Sequence, residues 1–485
     1  MSWSWHFGRR QRKKFKQSIT VVIPIFSLTL LVWMYSVCQV IVTSRTTPKT
    51  WSLVFDEAIH LWSRRHQPAP ETPTVTTTVP QLICPGQIVH QNQKVAVNKT
   101  KTVLLSAYQE HRTSIRQVRI IAVVLRIERV DYRCHFCCQG QLHTSRGFYK
   151  IHYDHFGFAY GTADIMCPIP SECENPSHIA VTSGEDDPEV EKQFFKVKNK
   201  KERHKSFRYN FTVCVSAMYD FNNVLQLVQS MEMLKILGVN KVAIYRTSNS
   251  PETQHVLDYY TKKGLVDVIP WSFSKFLNVS RHWLPHLGPG DLHYFGQLPA
   301  LNDCLYRYMY NSRYVALHDV DELILPQAVD SWSEMLPLLE RVYGMDQCYM
   351  FENNVFPNTF SLPPPTRHTL PQQPLWNKVP GVNILAHLYQ EPNTAQIHIS
   401  NFKILVNPRT VFSTTVHGVL DSQNGCSWVQ RSIARMYHTR APYFPKQPRH
   451  RLIYDGRLLG YSERLIAAVN IVLSKSGLLQ QDSTQ

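Results

Sequence analysis

The chain has 485 residues, 43% of them hydrophobic, and a formal net charge of +16. A basic balance of that size can signal nucleic-acid binding, but the N-terminus directs the bulk of this chain into the secretory lumen, which excludes nucleic acid as a partner. Phosphate-bearing small molecules and acidic glycans are the partners that remain.

Residues 1–18 carry Arg9, Arg10, Arg12, Lys13, Lys14 and Lys16 and no acid, leaving +10 for everything beyond them. Residues 19–42 then run for 24 positions without a charge. That exceeds the ~7–15 residues of a signal-peptide core and matches the ~20 needed to cross a bilayer. The basic flank belongs on the cytoplasmic side, so the sequence predicts a single-pass type II membrane protein with one N-terminal helix. Residues 43–100 read as a stem, because the Pro and Thr of "QPAPETPTVTTTVP" (67–80) cannot build a core. Asn98, Asn210 and Asn278 open N-glycosylation tripeptides. Ten cysteines lie beyond Cys38 of the span, an even set that suits disulfides in an oxidising lumen. The cluster "CHFCC" could instead ligate zinc through Cys134 and Cys137.

Residues 101–190 are rich in β-branched positions, as in "VRIIAVVLRIERVDYRCHFC", and predict a small β-rich unit stapled by cysteines. The acidic "GEDDPEVEK" and basic "KVKNKKERHK" read as a polar linker. From 205 to 445 strands and helices alternate. "FTVCVSAMY" is a buried strand, and "NNVLQLVQSMEMLKILG" is a helix ending at Gly238. "KVAIYRT" is a strand, and Ser250-Pro251 starts a helix with a capping hydroxyl and a first-turn proline. "LVDVIPW", the helix "LPALNDCLYRYMY" and the strand "SRYVALHDVD" follow. This alternation predicts an α/β domain built on a mostly parallel sheet. Residues 446–485 add a C-terminal helix, with Leu465, Val469 and Val472 at helical spacing, that docks on this domain, and a tail.

In "HDVDELILP" (318–326) three carboxylates, Asp319, Asp321 and Glu322, crowd into four residues at the carboxyl end of a strand. Ligands of parallel sheets bind outside those ends. The acids could cap a helix or pair with arginines. Alternatively, they could hold a hard divalent cation such as Mn²⁺ or Mg²⁺ against a substrate phosphate. In the lumen such a clamp serves glycosyl transfer from a nucleotide sugar, where it neutralises the leaving diphosphate. A phosphohydrolase needs the same clamp, whereas a carbohydrate-binding protein without turnover does not.

The ordered motifs "FTVCVSAMYD", "LGVNKVAIYRTS", "GQLPALNDCLYRY", "YVALHDVDELILP", "FKILVNP" and "VH" resemble glycosyltransferase family 92 over roughly residues 102–445. The resemblance implies a GT-A-like catalytic domain in a Golgi enzyme. Such an enzyme transfers galactose from UDP-galactose to a galactose or fucose acceptor on a glycoprotein or glycolipid, in β-1,4 linkage. It implies that Asp319 and Asp321 bind the metal and diphosphate, with Glu322 beside them. His417 in "TTVHGV" is the expected third ligand and His438 in "RMYHTR" its rival; Thr439 stands where the family usually has Tyr. Arg246, Asp303 and Arg440 are expected at the nucleotide or its phosphates. The β-linkage requires inversion and hence a general base, for which Glu352 and Asp421 are both available.

Overall fold

A computed structural model of the chain describes residues 86–479, apart from 185–190, 203–205, 360, 366–369, 372–373 and 393–400. The expected membrane span and most of the stem lie outside the described residues. Among the described residues no helix is long and apolar enough to cross a membrane. All of them fall within one compact unit, Pro80–Gln485.

Nine strands come first: β1 (Gln87–Ile88), β2 (Val95–Ala96), β3 (Val103–Glu110), β4 (Gln117–Leu125), β5 (Tyr132–Cys138), β6 (Gln141–Ile151), β7 (Tyr160–Pro168), β8 (His178–Ser183) and β9 (Gln193–Lys198). Their order is β1-β9-β8-β5-β6-β7-β4-β3-β2, and β9 also pairs with β3. The sheet therefore closes into a barrel and hides its edges. Closure depends on β9, whose Phe194, Phe195 and Val197 are buried. The expected polar linker is thus partly wrong, since its Lys196–Lys198 segment belongs to a barrel strand. The stem also ends earlier than residue 100, because β1 and β2 already pair with the barrel.

The second half holds β10 (Tyr209–Met218), β11 (Lys241–Arg246), β12 (Val266–Pro270), β13 (Ser312–Leu317), β14 (Glu322–Pro326), β15 (Cys348–Phe351), β16 (Asn353–Pro357), β17 (Tyr389–Gln390), β18 (Lys403–Val406), β19 (Val411–Thr415), β20 (Gly418–Ser422), β21 (Cys426–Trp428), β22 (Ala434–Arg440) and β23 (Ile453–Tyr454). The main sheet runs β12-β11-β10-β13-β18-β15-β21. Its first four strands are parallel, and β18 is antiparallel to both of its neighbours. A small sheet, β14-β22-β16, stands beside it.

Helices α1 (Val224–Ile236), α2 (Pro251–Lys262), α3 (Gln297–Tyr308), α4 (Trp332–Tyr343) and α5 (Ser462–Lys475) complete the unit. Ser250 caps α2 by accepting from the Thr253 N–H, with Pro251 in the first turn, as the sequence predicts. Helix α1 is buried almost all round, Gln226, Gln229 and Glu232 included, rather than on one face. Its outer side is covered by α5, whose Leu465, Val469 and Val472 join the same core. Burial of each such side chain contributes roughly 1.5–3 kcal/mol.

The barrel and the α/β half share a core. In β4, Ile120, Ala122 and Val124 fill the barrel, whereas Ile121 and Val123 pack with Leu301, Cys304 and Leu305 of α3. A strand buried on both faces reads as an unbroken apolar run, which explains "VRIIAVVL". Disulfides Cys134–Cys167 and Cys138–Cys173 staple the barrel, Cys214–Cys304 ties β10 to α3, and Cys348–Cys426 joins β15 to β21. Cys137 is disulfide-bonded as well. All three cysteines of "CHFCC" are therefore consumed, which removes the zinc alternative.

Candidate functional site

At Leu317 the chain leaves the main sheet, turns through residues 318–321 and re-enters the core as β14 of the small sheet. The Glu322 N–H closes the turn on the Asp319 carbonyl at 3.2 Å. This change of sheet carries the two aspartates beyond the carboxyl ends of the parallel strands. Beside them β10 ends in a bulge, its register against β11 slipping between Val215 and Met218, with Ala217 at φ 58°. Bulges of this kind bend a strand and re-aim its side chains next to sites.

Two strands from far along the sequence complete the cluster. Lys403, first residue of β18, places its ammonium 2.9 Å from Asp319 Oδ2 and 3.2 Å from Glu322 Oε2. His438, opposite Glu322 in the β14–β22 ladder, sets Nε2 3.2 Å from Asp321 Oδ2 and Nδ1 3.5 Å from Glu322 Oε1. Burial pushes the Glu322 carboxyl up, but Lys403 and His438 reverse the effect and hold it below its ordinary range. Burial likewise opposes the His438 imidazolium, yet Asp321 and Glu322 raise its pKa above the usual value. Glu322 is sealed, whereas the Asp319 and Asp321 side chains are 34% and 36% exposed. Three carboxylates against one ammonium leave the cluster negative, and less so when His438 is protonated. Asp319, Asp321 and His438 offer oxygen and imidazole donors, and the Glu322 carboxylate stands 3.5 Å from the other ring nitrogen without a hydrogen bond to it. Among the described residues no three or more His, Cys, Asp and Glu side chains are already gathered as a metal centre; Asp319 and Asp321, with His438 beside them, come nearest to one.

Two adjoining clefts reach this cluster and share Tyr294, Asp319, His438 and Arg440. The first, about 450 Å³, is walled by the bulged end of β10 and by Gln226. The second, about 550 Å³, is walled by Trp283, Lys403, His417 and Tyr443, and by Phe156 from the barrel. Both lie in the size range of small-molecule sites.

The expected site residues divide accordingly. Asp319, Asp321, Glu322, His438 and Arg440 meet at the clefts. His417 lines the second cleft with Nδ1 3.1 Å from the Phe402 carbonyl; it is His438 that reaches Asp321. Burial and the nearby Lys403 lower the His417 pKa to about 4. Asp303 is elsewhere: it is buried between the barrel and α3, accepting hydrogen bonds from Ser106, Tyr108, Tyr245 and Arg307. Its carboxylate is fully used in joining the two halves, which argues against a nucleotide contact. Arg246 is turned to Asn249 and Gln254. Among the described residues lining the clefts, neither Glu352 nor Asp421 occurs; they pair with Arg431 and Lys150 respectively. Lys403, within "FKILVNP", carries no local signal of this role in the sequence. Asn98, Asn210 and Asn278 are all exposed.

A sequence model described as Glycosyltransferase family 92 matches residues 209–455. It begins at β10, so the barrel lies outside the match, which is shorter than the resemblance from residue 102 that the motifs suggest. Among curated proteins, the Caenorhabditis elegans glycosyltransferase family 92 protein F13G3.3 is 30% identical over 122 residues, 25% of this chain and 24% of that protein. A second protein of that organism, glycosyltransferase family 92 protein F55C10.4, is 25% identical over 135 residues, 28% of this chain and 25% of its own length. The chain thus spans about a quarter of the curated relatives it matches. With half of its length matched by the family, from the first strand of the main sheet to past the small one, the chain belongs to glycosyltransferase family 92.

Proposed function

We propose that this protein is a metal-dependent, inverting glycosyltransferase of the GT-A type that transfers galactose from UDP-galactose to a galactose or fucose unit of a glycan, in β-1,4 linkage. We assign it to the Golgi membrane as a single-pass type II protein with its catalytic unit in the lumen. One observation carries the enzymatic reading: two half-open aspartates, backed by a buried Lys–Glu–His set, stand where two clefts meet. Inversion requires the acceptor oxygen to approach the anomeric carbon from the face opposite the departing diphosphate and to give its proton to a base. Two clefts that meet at one cluster suit that approach better than a single pocket. Glu352 and Asp421 line neither cleft, so that base is a group other than these two.

Asp319 and Asp321, with His438, would hold Mn²⁺ or another divalent cation, which when bound would supply charge neutralisation for the leaving diphosphate. Lys403 holds the Asp319 side chain toward the cluster at 2.9 Å, and Glu322 lies 3.5 Å behind the His438 ring. Arg440, exposed at the rim of both clefts, is our choice for pairing with a phosphate oxygen. The ordinary test is UDP release by the full-length protein in detergent, with UDP-galactose, Mn²⁺ and galactose- or fucose-terminated oligosaccharides. Acceptor should accelerate release and a β-1,4-galactosylated product should accumulate. Release that ignores acceptor would identify a phosphohydrolase, and saccharide binding with no release would identify a binding protein.

A further inference from the structure

The loop 152–159 between β6 and β7 leaves the barrel and reaches the second cleft. It is fixed there at several points. Asp154 accepts a hydrogen bond from the Thr415 hydroxyl, and the Tyr160 N–H donates to the Asp291 carbonyl at 3.0 Å. Phe156 lies flat on the His293 ring, with centroids 4.3 Å apart and planes 21° apart.

Three features mark this cleft and its immediate surroundings. Phe156, Tyr294 and Phe295 all take left-handed backbone, at φ 53°, 32° and 53°. Bulky residues adopt such angles only where the surroundings impose them, and they concentrate at functional sites. His293 is 2% exposed, and neither ring nitrogen has a hydrogen-bond partner among the described residues. Both nitrogens are closed off from the cleft, so the ring contributes through its stack with Phe156 rather than through a hydrogen bond to a ligand. Trp283 and Tyr443 stand open at the rim, 55% and 49% exposed.

A ligand that presents a C–H face to aromatic rings and hydroxyls at its edge is a pyranose. We infer that the second cleft is a saccharide subsite and that the barrel forms one of its walls through Phe156. Its role as the acceptor side rests on the transfer reading above; saccharide binding itself does not. The barrel would then be part of the recognition machinery, although it lies outside the family match.

The test uses the full-length chain in detergent, titrated with galactose- and fucose-terminated oligosaccharides and followed by saturation-transfer NMR. Phe156→Ala and Trp283→Ala should each weaken binding by at least about tenfold, the loss of an aromatic contact. Trp283 is solvent-exposed, so its variant should keep the wild-type melting temperature even where loss of Phe156 loosens the loop. Tyr153→Ala, on the same loop but 70% exposed and outside the cleft lining, should bind normally. Equal binding by wild type and both cleft variants, or no binding by the wild type, would overturn the inference. Saccharide bound by the wild type and lost in both variants, with no UDP released from UDP-galactose, would support the subsite while removing the transfer reading.

Discussion

Lys403 decides how three acids share one turn. Its ammonium is buried and bridges Asp319 and Glu322, so removing it strands a sealed carboxylate. Lys403→Met should destabilise the protein by about 3–5 kcal/mol in thermal or denaturant melting. The Lys403→Met/Glu322→Gln pair should recover part of that loss. His438→Ala should lower metal-dependent turnover by on the order of 10²-fold, and His417→Ala should leave metal dependence in place. The reverse pattern would restore His417 as the ligand. Asp303→Asn should lower the melting temperature while leaving the donor KM unchanged, because this carboxylate bonds protein groups on every side. That structural role was partly legible, since Arg307 follows Asp303 by one helical turn. The choice between His438 and His417 was not. It depends on the register that sets Glu322 opposite His438, a pairing across more than a hundred residues.

Elements with local signals were readable. Helix α2 announces itself by Ser250-Pro251, and β10 to β13 by apolar runs between turn residues. Strand β9 was hidden because its buried Phe194, Phe195 and Val197 sit between two charged stretches that suggest solvent. Strand β18 gave little sign of entering the sheet antiparallel, an arrangement fixed by partners far away in the sequence. The link between β10 and α3 is also covalent, through Cys214–Cys304, 90 residues apart. Closing a loop of that length is worth about 4–5 kcal/mol in the chain-entropy account. The Cys214→Ala/Cys304→Ala variant should therefore melt well below the wild type, and an unchanged melting curve would show that core packing alone holds the helix.

Across the whole molecule, buried ionised groups inside the barrel and at its seam with α3 set the response to acid. Burial would raise the carboxyls of Glu110, Asp164 and Asp303, but Arg112 and Arg119, Arg119 and His152, and Arg307 and Lys198 respectively leave all three below their ordinary range. Their stabilisation is complete above about pH 4–5 and is lost as pH falls further, when the unfolded chain takes up protons first. His293 acts earlier, because burial and His417 lower its pKa to about 3. Between about pH 6.5 and that value only the unfolded form is protonated, so stability falls with pH. From pH 7 to 5 the loss from this residue is about 2 kcal/mol. The melting temperature should drop over that interval, and less so in His293→Gln. The central claim, that Asp319 and Asp321 clamp a cation and a nucleotide diphosphate for transfer, is tested most directly by acceptor-dependent UDP release from UDP-galactose. The full-length wild type should lose activity in EDTA and regain it with Mn²⁺. Asp319→Asn and Asp321→Asn, at unchanged melting temperature, should each fall by on the order of 10²-fold or more. Full activity in EDTA, or in both variants, would contradict the account and leave the three acids of this turn a purely structural part.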